Sequence, residues 1–466
     1  MTDPRDDLDA WLEAQVHPLP PPPGTFELIR RRARRRKIGR AAAAAAGAAA
    51  VITLIAAVPT LIIPRLQLGP GQARNSAATG QTLSPSPGHG SATPRASASA
   101  SAPTPAAGPT VPTNFAATSV TFIGTRTGWV LGQAGTPGDC PIIKQDCTSI
   151  ASTDDGGMTW HGVHAPVTGA ANGSTGVSQI RFLNHDDGWA FGPELFATQD
   201  GGQTWTNIST GGLRVTALET RGDRAFAVWA RCAGSGANFA AGCTSFSVYS
   251  VIAGGNNWAP VTGAMAAVSP SGAAGSASLL LTGSSGYLLT PNGNLLSGPV
   301  SGQGSWQMRS APPAAVPAAA PPCAPGAAQS DGQPAGELLA ATSPSGLVAL
   351  CVGQAAGGSQ VKTAYTSSDG GTMWQRAGTA PAAGTATSVA GTPTGTIMVA
   401  TSLGIDVSAD GGATWTAADI AVPPGGFAFV GMTTSARGVA VPADPNQDAV
   451  WFTVDGGRSW QASPIK

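Results

Sequence analysis

Trp160, Trp205, Trp258, Trp306, Trp374, Trp415 and Trp460 follow one another at steps of 45, 53, 48, 68, 41 and 45 residues. Five of them close the same short polar turn. It runs from Thr153 through Asp155, Gly156, Gly157 and Thr159 to Trp160, and returns with Asp200 before Trp205, Asp369 before Trp374, Asp410 before Trp415 and Asp455 before Trp460. Two copies are decayed: Ala253 stands at the aspartate position before Trp258, and only Gly302 and Ser305 survive before Trp306. Self-similarity at a period of about 50 residues is the mark of a propeller or solenoid, built from stacked supersecondary units. The aspartate is expected to accept hydrogen bonds from N–H groups of its own turn, and the Gly-Gly pair to supply positive φ. Each box therefore reads as a structural staple, because seven spaced copies cannot line one catalytic site.

Two strand signals precede each box, as in Ser119–Ile123 with Trp129–Gly132 and Gln179–Leu183 with Trp189–Gly192. With a third strand entering the box and a fourth leaving at tryptophan, the unit is a four-stranded antiparallel blade. The expected fold is all-β, a seven-bladed β-propeller over residues 113–466. The turn pattern S/T-x-D-x-G-x-T-W resembles the Asp-box of BNR-repeat propellers, the sialidase-like superfamily that includes sialidases, sortilin-type receptors and photosystem II assembly factors. The resemblance covers residues 115 to 466. The stretch Asp187-Gly188-Trp189-Ala190-Phe191-Gly192 is similar to assembly-factor repeats, which implies protein binding as the mode of action.

In an antiparallel blade whose strands are called A to D from the axis outward, the A–B turns share a face with the boxes. The B–C loops and D–A crossovers open on the other. All six cysteines fall on that looped face, and their spacing predicts the disulfides Cys140–Cys147, Cys232–Cys243 and Cys323–Cys351. The longest excursions, 163–177, 232–243 and 310–333, lie there too. Long loops on a rigid scaffold are where binding tends to be placed. The candidate binding residues are Asp139, Lys144, Asp146, His164, Arg231, Asn238, Phe239 and Asp331.

Ahead of the repeats, residues 1–37 form a polar tail carrying Trp11 and Leu12, with a basic run from Arg30 to Lys37. An uncharged run from Ala41 to Ile63 follows. As a helix its 23 residues would span roughly 35 Å, against about 30 Å of bilayer hydrocarbon. We therefore expect a transmembrane helix within 38–64, partnered by the lipid bilayer through residues 41–63. The positive charges before it place the amino terminus in the cytoplasm and the propeller outside the cell membrane. A cleaved signal is the alternative; an apolar run longer than a usual signal core favours a single-pass anchor. Residues 65–112, rich in Pro, Ser and Ala, read as a disordered linker.

Charged residues make up only 11% of the chain and formal net charge is zero, which argues against a nucleic-acid partner. No Ser/His/Asp set, phosphate-binding loop or zinc spacing appears, and no metal or cofactor is expected. Sialidases use a tyrosine nucleophile, an acid/base aspartate and three arginines. Here Tyr249, Tyr287 and Tyr365 all fall within strand patterns, and no Arg-Ile-Pro motif precedes the first box. His161 with His164 lacks a third ligand, Asp186 and Asp187 read as caps of a turn, and Asp444 to Asp448 suit turn chemistry as well as a calcium loop. The expectation is a non-catalytic module binding an extracytoplasmic protein, with an exported glycoside hydrolase or glycan-binding protein as the alternative.

Overall fold

The computed structural model describes residues 110–134, 147–236, 239–240, 242–267, 277–291, 293–310, 323 and 336–466. They form seven antiparallel sheets with strands in chain order from one edge to the other. Blade 1 holds β1 (Ala116–Phe122), β2 (Gly128–Ala134), β3 (Cys147–Thr153) and β4 (His161–Val163). Blade 2 holds β5 (Gln179–Phe182), β6 (Asp187–Phe191), β7 (Leu195–Gln199) and β8 (Thr206–Asn207). Blade 3 has the longest strands: β9 (Arg214–Arg221), β10 (Arg224–Cys232), β11 (Cys243–Ile252) and β12 (Ala259–Ala267). Blade 4 comprises β13 (Ser278–Thr282), β14 (Ser285–Leu289), β15 (Leu295–Pro299) and β16 (Gln307–Ser310). Blade 5 comprises β17 (Gly336–Ala341), β18 (Leu347–Val352), β19 (Lys362–Ser367) and β20 (Gln375–Ala380). Blade 6 comprises β21 (Ala386–Gly391), β22 (Ile397–Thr401), β23 (Gly404–Ser408) and β24 (Thr416–Ala417). After the short β25 (Asp419–Ile420), blade 7 holds β26 (Phe427–Met432), β27 (Gly438–Pro442), β28 (Ala449–Thr453) and β29 (Ser459–Pro464). The strand β25 pairs in parallel with β29, giving blade 7 a fifth strand.

The five intact boxes share one geometry. In the first, Thr153 Oγ1 donates to Asp155 Oδ1 at 2.8 Å and accepts from the buried N–H of Gly157 at 2.8 Å. The Thr159 N–H and Oγ1 donate to the two carboxylate oxygens at 2.9 and 2.6 Å. The same threonine or serine accepts from the second box glycine in the others, Gly202, Gly371, Gly412 and Gly457. The first box glycine instead donates across its blade to the A–B turn: Gly156 to Arg126 O, Gly201 to Asp186 O, Gly370 to Ser345 O and Gly456 to Ala436 O. Boxes and A–B turns therefore share a face. Both box glycines have positive φ, 79° and 90° at Gly156 and Gly157, a region that disfavours side-chain-bearing residues.

Each box tryptophan wedges between its own blade and the one before it. Trp205 packs against the blade 1–2 core, Trp258 against 2–3, Trp306 within 3–4, Trp374 against 4–5, Trp415 against 5–6, Trp460 within 6–7 and Trp160 within the core joining blade 7 to blade 1. One apolar cluster thus occupies each of the seven seams, and the decayed boxes have kept the wedge. The innermost strand of each blade adjoins that of the next, and β1 lies against β27 and β28 to complete the ring. Among the described residues no strand is exchanged between blades 7 and 1. Instead Phe122 meets Phe452 edge-on at 5.7 Å, Arg437 Nη2 donates to Gly156 O at 3.0 Å, and Ser463 Oγ donates to Gly157 O.

The expected tail and transmembrane helix at 1–64 and the expected linker at 65–112 lie outside the described residues except for 110–112, where Val111 packs on the blade 7–1 core; among the described residues no helix is long and apolar enough to cross a membrane.

Candidate functional site

On the looped face, two loops predicted separately are knit together. The crossover after β4 folds on itself through Asn172 N–H to Thr175 O and Val177 N–H to Gly169 O. The carboxylate of Glu194, in the B–C turn of blade 2, accepts from Gly176 N–H at 2.5 Å and Thr168 Oγ1 at 3.1 Å. The B–C loop of blade 3 is closed at its base by the Cys232–Cys243 disulfide. Arg214 Nη1 grips it from within, donating to Gly234 O and Phe239 O at 2.6 and 2.5 Å. Gly173 N–H donates to Gly236 O, and Ala171, Phe239 and Ala240 form a small buried cluster. The result is one fixed ridge over blades 1 to 3, with Val167 73% exposed beside it.

Of the candidate binding residues, Asp139, Lys144, Asp146, Asn238 and Asp331 lie outside the described residues, as does Cys140. His164 is exposed and its carbonyl accepts the Trp205 indole N–H at 2.8 Å. Arg231 is exposed at the end of β10. Phe239 is buried, so its ring anchors the loop rather than meeting solvent; only its neighbours' chemistry, invisible to loop length, reveals this. Cys147 is disulfide-bonded and Cys323 pairs with Cys351, tying the chain before blade 5 to the end of β18. The turn near Asp187 is capped by Asn184, whose Oδ1 accepts from Asp186 and Asp187 N–H, while Asp187 Oδ1 reaches blade 3 to accept from Gly254 N–H at 2.9 Å. Asp444 Oδ1 accepts from Asn446 N–H and Nδ2, a local turn. Among the described residues no group of three or more His, Cys, Asp or Glu side chains is placed to hold a metal.

A polar cluster at the inner strands had no signal in the sequence. Arg181 of β5 is fully buried; its Nε donates to Glu219 of β9 at 3.1 Å, and its Nη1 donates to Ile180 O at 2.7 Å and Ser119 Oγ of β1 at 3.4 Å. A guanidinium that reaches both neighbouring inner strands sits at the inner rim of blade 2. Burial pushes the Glu219 carboxyl up to about 8 although Arg181 opposes this, and burial also lowers Arg181. Half-buried Glu337, at the start of β17, is likewise pushed up to about 8 by burial. In blade 5, Lys362 is buried with Nζ donating to Ala383 O and Gly384 O, each at 2.9 Å, and burial lowers its ammonium.

No protein-family model matches this chain, and no curated protein matches it. Among solved structures it is similar to YCF48 bound to D1 peptide, at 18% identity over 77% of this chain and 95% of that one, with a TM-score of 0.44. YCF48 from Cyanidioschyzon merolae matches at 16% identity over 61% and 84%, with a TM-score of 0.39. The α-L-arabinanase of Penicillium chrysogenum complexed with arabinobiose matches at 14% over 69% and 87%, with a TM-score of 0.36. Likenesses at this level carry neither activity nor partner to this chain; the seven-bladed architecture stands on its own strand order.

Proposed function

We propose that this chain is a membrane-anchored, extracytoplasmic Asp-box β-propeller that binds another protein as a non-catalytic assembly module. The ridge over blades 1 to 3 supports this reading. Gly173 N–H to Gly236 O and the Ala171, Phe239 and Ala240 cluster join its two loops, while Arg214 and a disulfide brace the blade 3 loop, which favours a surface set before a partner arrives. On the opposite face the intact boxes spend their aspartates on their own turns. The anchor rests on the apolar run 41–63 and the basic run before it. Full-length protein is expected in the membrane fraction, resisting alkaline wash, and a chain lacking residues 1–64 is expected to be released. A mature protein that begins after residue 60 would replace the anchor with a cleaved signal.

A second reading, an exported glycoside hydrolase, is favoured by one observation. Glu337 sits on an inner strand with its carboxyl pushed up to about 8 by burial, and a protonated carboxyl at neutral pH is what a general acid requires. Incubating the full-length chain with a panel of extracellular glycans separates the two. The binding reading expects no turnover; turnover that Glu337→Gln abolishes would establish the enzyme instead.

A further inference from the structure

Across the looped face from the ridge, blades 5 to 7 present short segments instead of long ones. These are 353–361 after β18, 381–385 before β21, 402–403 after β22 and 421–426 before β26. They form one continuous surface. Ser359 bridges to Ala383, Gln360 N–H donates to Ala382 O, and Gly384 N–H donates to Gly358 O. Ser402 N–H then donates to Thr385 O, and Ser402 Oγ accepts from Thr385 N–H. A Cβ on Gly426 would stand 2.2 Å from Thr401 O, so the 421–426 crossover is pressed onto the blade 6 turn, and its Val422 lies beside Gly404. Ala443 N–H donates to Gly426 O and extends the surface to blade 7.

These four segments contain no Asp, Glu, Lys, Arg or His. The neighbouring cation, Lys362, is turned inward onto two carbonyls beneath them. Apart from Gln354 and Ser359, what they expose is small or apolar: Ala355, Ala356, Pro381, Pro424, with Leu403 at 61% and Val422 at 44% exposure standing above the rest. Exposed large apolar side chains gathered on an uncharged surface mark an interaction site rather than ordinary surface.

Resting on the protein-binding reading above, we infer that this sector receives an extended polypeptide segment of the partner. That segment is uncharged and small or apolar along most of its length, with a basic side chain at the end over blade 7. Two observations select this occupant. The four segments expose 14 residues, against about 20–30 per partner in a stable protein–protein interface, so the sector suits a single strand of chain and is too small for a second copy of the propeller. The border at blade 7 carries Asp444 and Asp448, beside which Lys466 follows Ile465, whose N–H donates to Asp448 O; the balance there is acidic and matches a basic end.

The test titrates the full-length chain with labelled 12-residue peptides of Ala, Pro, Leu and Ser, one ending in Lys and one in Glu, followed by fluorescence anisotropy. Saturable binding of the Lys peptide is expected, at least about fivefold weaker for the Glu peptide and at least about tenfold weaker in Leu403→Arg or Val422→Asp. Both substitutions are at exposed positions and should leave the melting temperature unchanged. Met158→Arg, at an exposed position of a box turn on the opposite face, should bind as the parent does. Wild-type binding by both sector variants, or no saturable binding of either peptide, overturns the assignment. Loss of binding only in Val167→Arg, on the ridge, also overturns it while leaving the protein-binding reading intact, whereas glycan turnover without peptide binding removes both. A concentration-dependent dimer in sedimentation, dispersed by Leu403→Arg, would identify a second copy as the occupant and overturn the peptide.

Discussion

The hydroxyl that opens each box does more for its turn than the glycines' conformational freedom alone. Thr153 is fully buried and links the aspartate to the Gly157 N–H. Thr153→Val keeps the shape and removes the acceptor, leaving that N–H unpaired. The expected loss is about 1–3 kcal/mol, read as a lower denaturation midpoint. A second residue-scale expectation concerns pH. Glu219 and Glu337 have folded values near 8 against an ordinary 4.5, so between those limits the folded chain holds protons that the unfolded chain has released. Stability should therefore fall as pH rises from about 4.5 towards 8. The box aspartates have the opposite sign. Hydrogen bonds from Thr414 and Ser408 hold Asp410 at about 2, below its ordinary 3.8, so its contribution is present above that ordinary value and is lost as pH falls through the folded one. Melting curves from pH 3 to 9 should peak near pH 4.5 to 5, and Glu337→Gln should flatten the alkaline decline. A profile already flat from pH 5 to 8 in the parent would show that these carboxyls ionise normally.

At the scale of elements, blade 3 shows how a decayed repeat is repaired by its neighbour. The bond to the A–B turn passes to Ala253, whose N–H donates to Asp223 O, and the Gly254 N–H donates instead to Asp187 of blade 2, while Gln199 Nε2 donates to Gly254 O at 2.9 Å. The aspartate read from the sequence as a turn cap is also a bridge between blades. Asp187→Ala is expected to cost about 1–2 kcal/mol and to raise amide exchange at Gly254, in a different blade from the substitution. Unchanged exchange there, with protection lost only around Asn184, would restrict Asp187 to its own turn. The bridge was not legible because it joins residues 67 positions apart, whereas the hydrogen bonds of a box span two to four and leave their pattern in the chain.

For the whole molecule, the repeated invariant is the tryptophan rather than the aspartate. Seven seams hold seven box tryptophans, including Trp306, which is 2% exposed in the most degraded box. Trp306→Ala should therefore be as damaging as Trp460→Ala in an intact box, each costing about 3–5 kcal/mol in equilibrium unfolding. A cost below about 1 kcal/mol at Trp306 would return the weight to the turns. The sequence alone determined the number of blades, their strand order, the two faces and the looped end where the described disulfides lie. It could do so because those properties follow from local hydrogen bonding and from alternation along strands. Only the tertiary structure decided which loops meet, that Phe239 faces inward, that Arg181 and Glu219 pair at the inner rim, and that four unremarkable short segments join into an uncharged apolar surface. Each of these depends on stretches far apart in the chain being carried to one place by the closure of the ring. The box that counts the blades thus marks the face it occupies, because its hydrogen bonds close within its own turn and onto the A–B turn beside it.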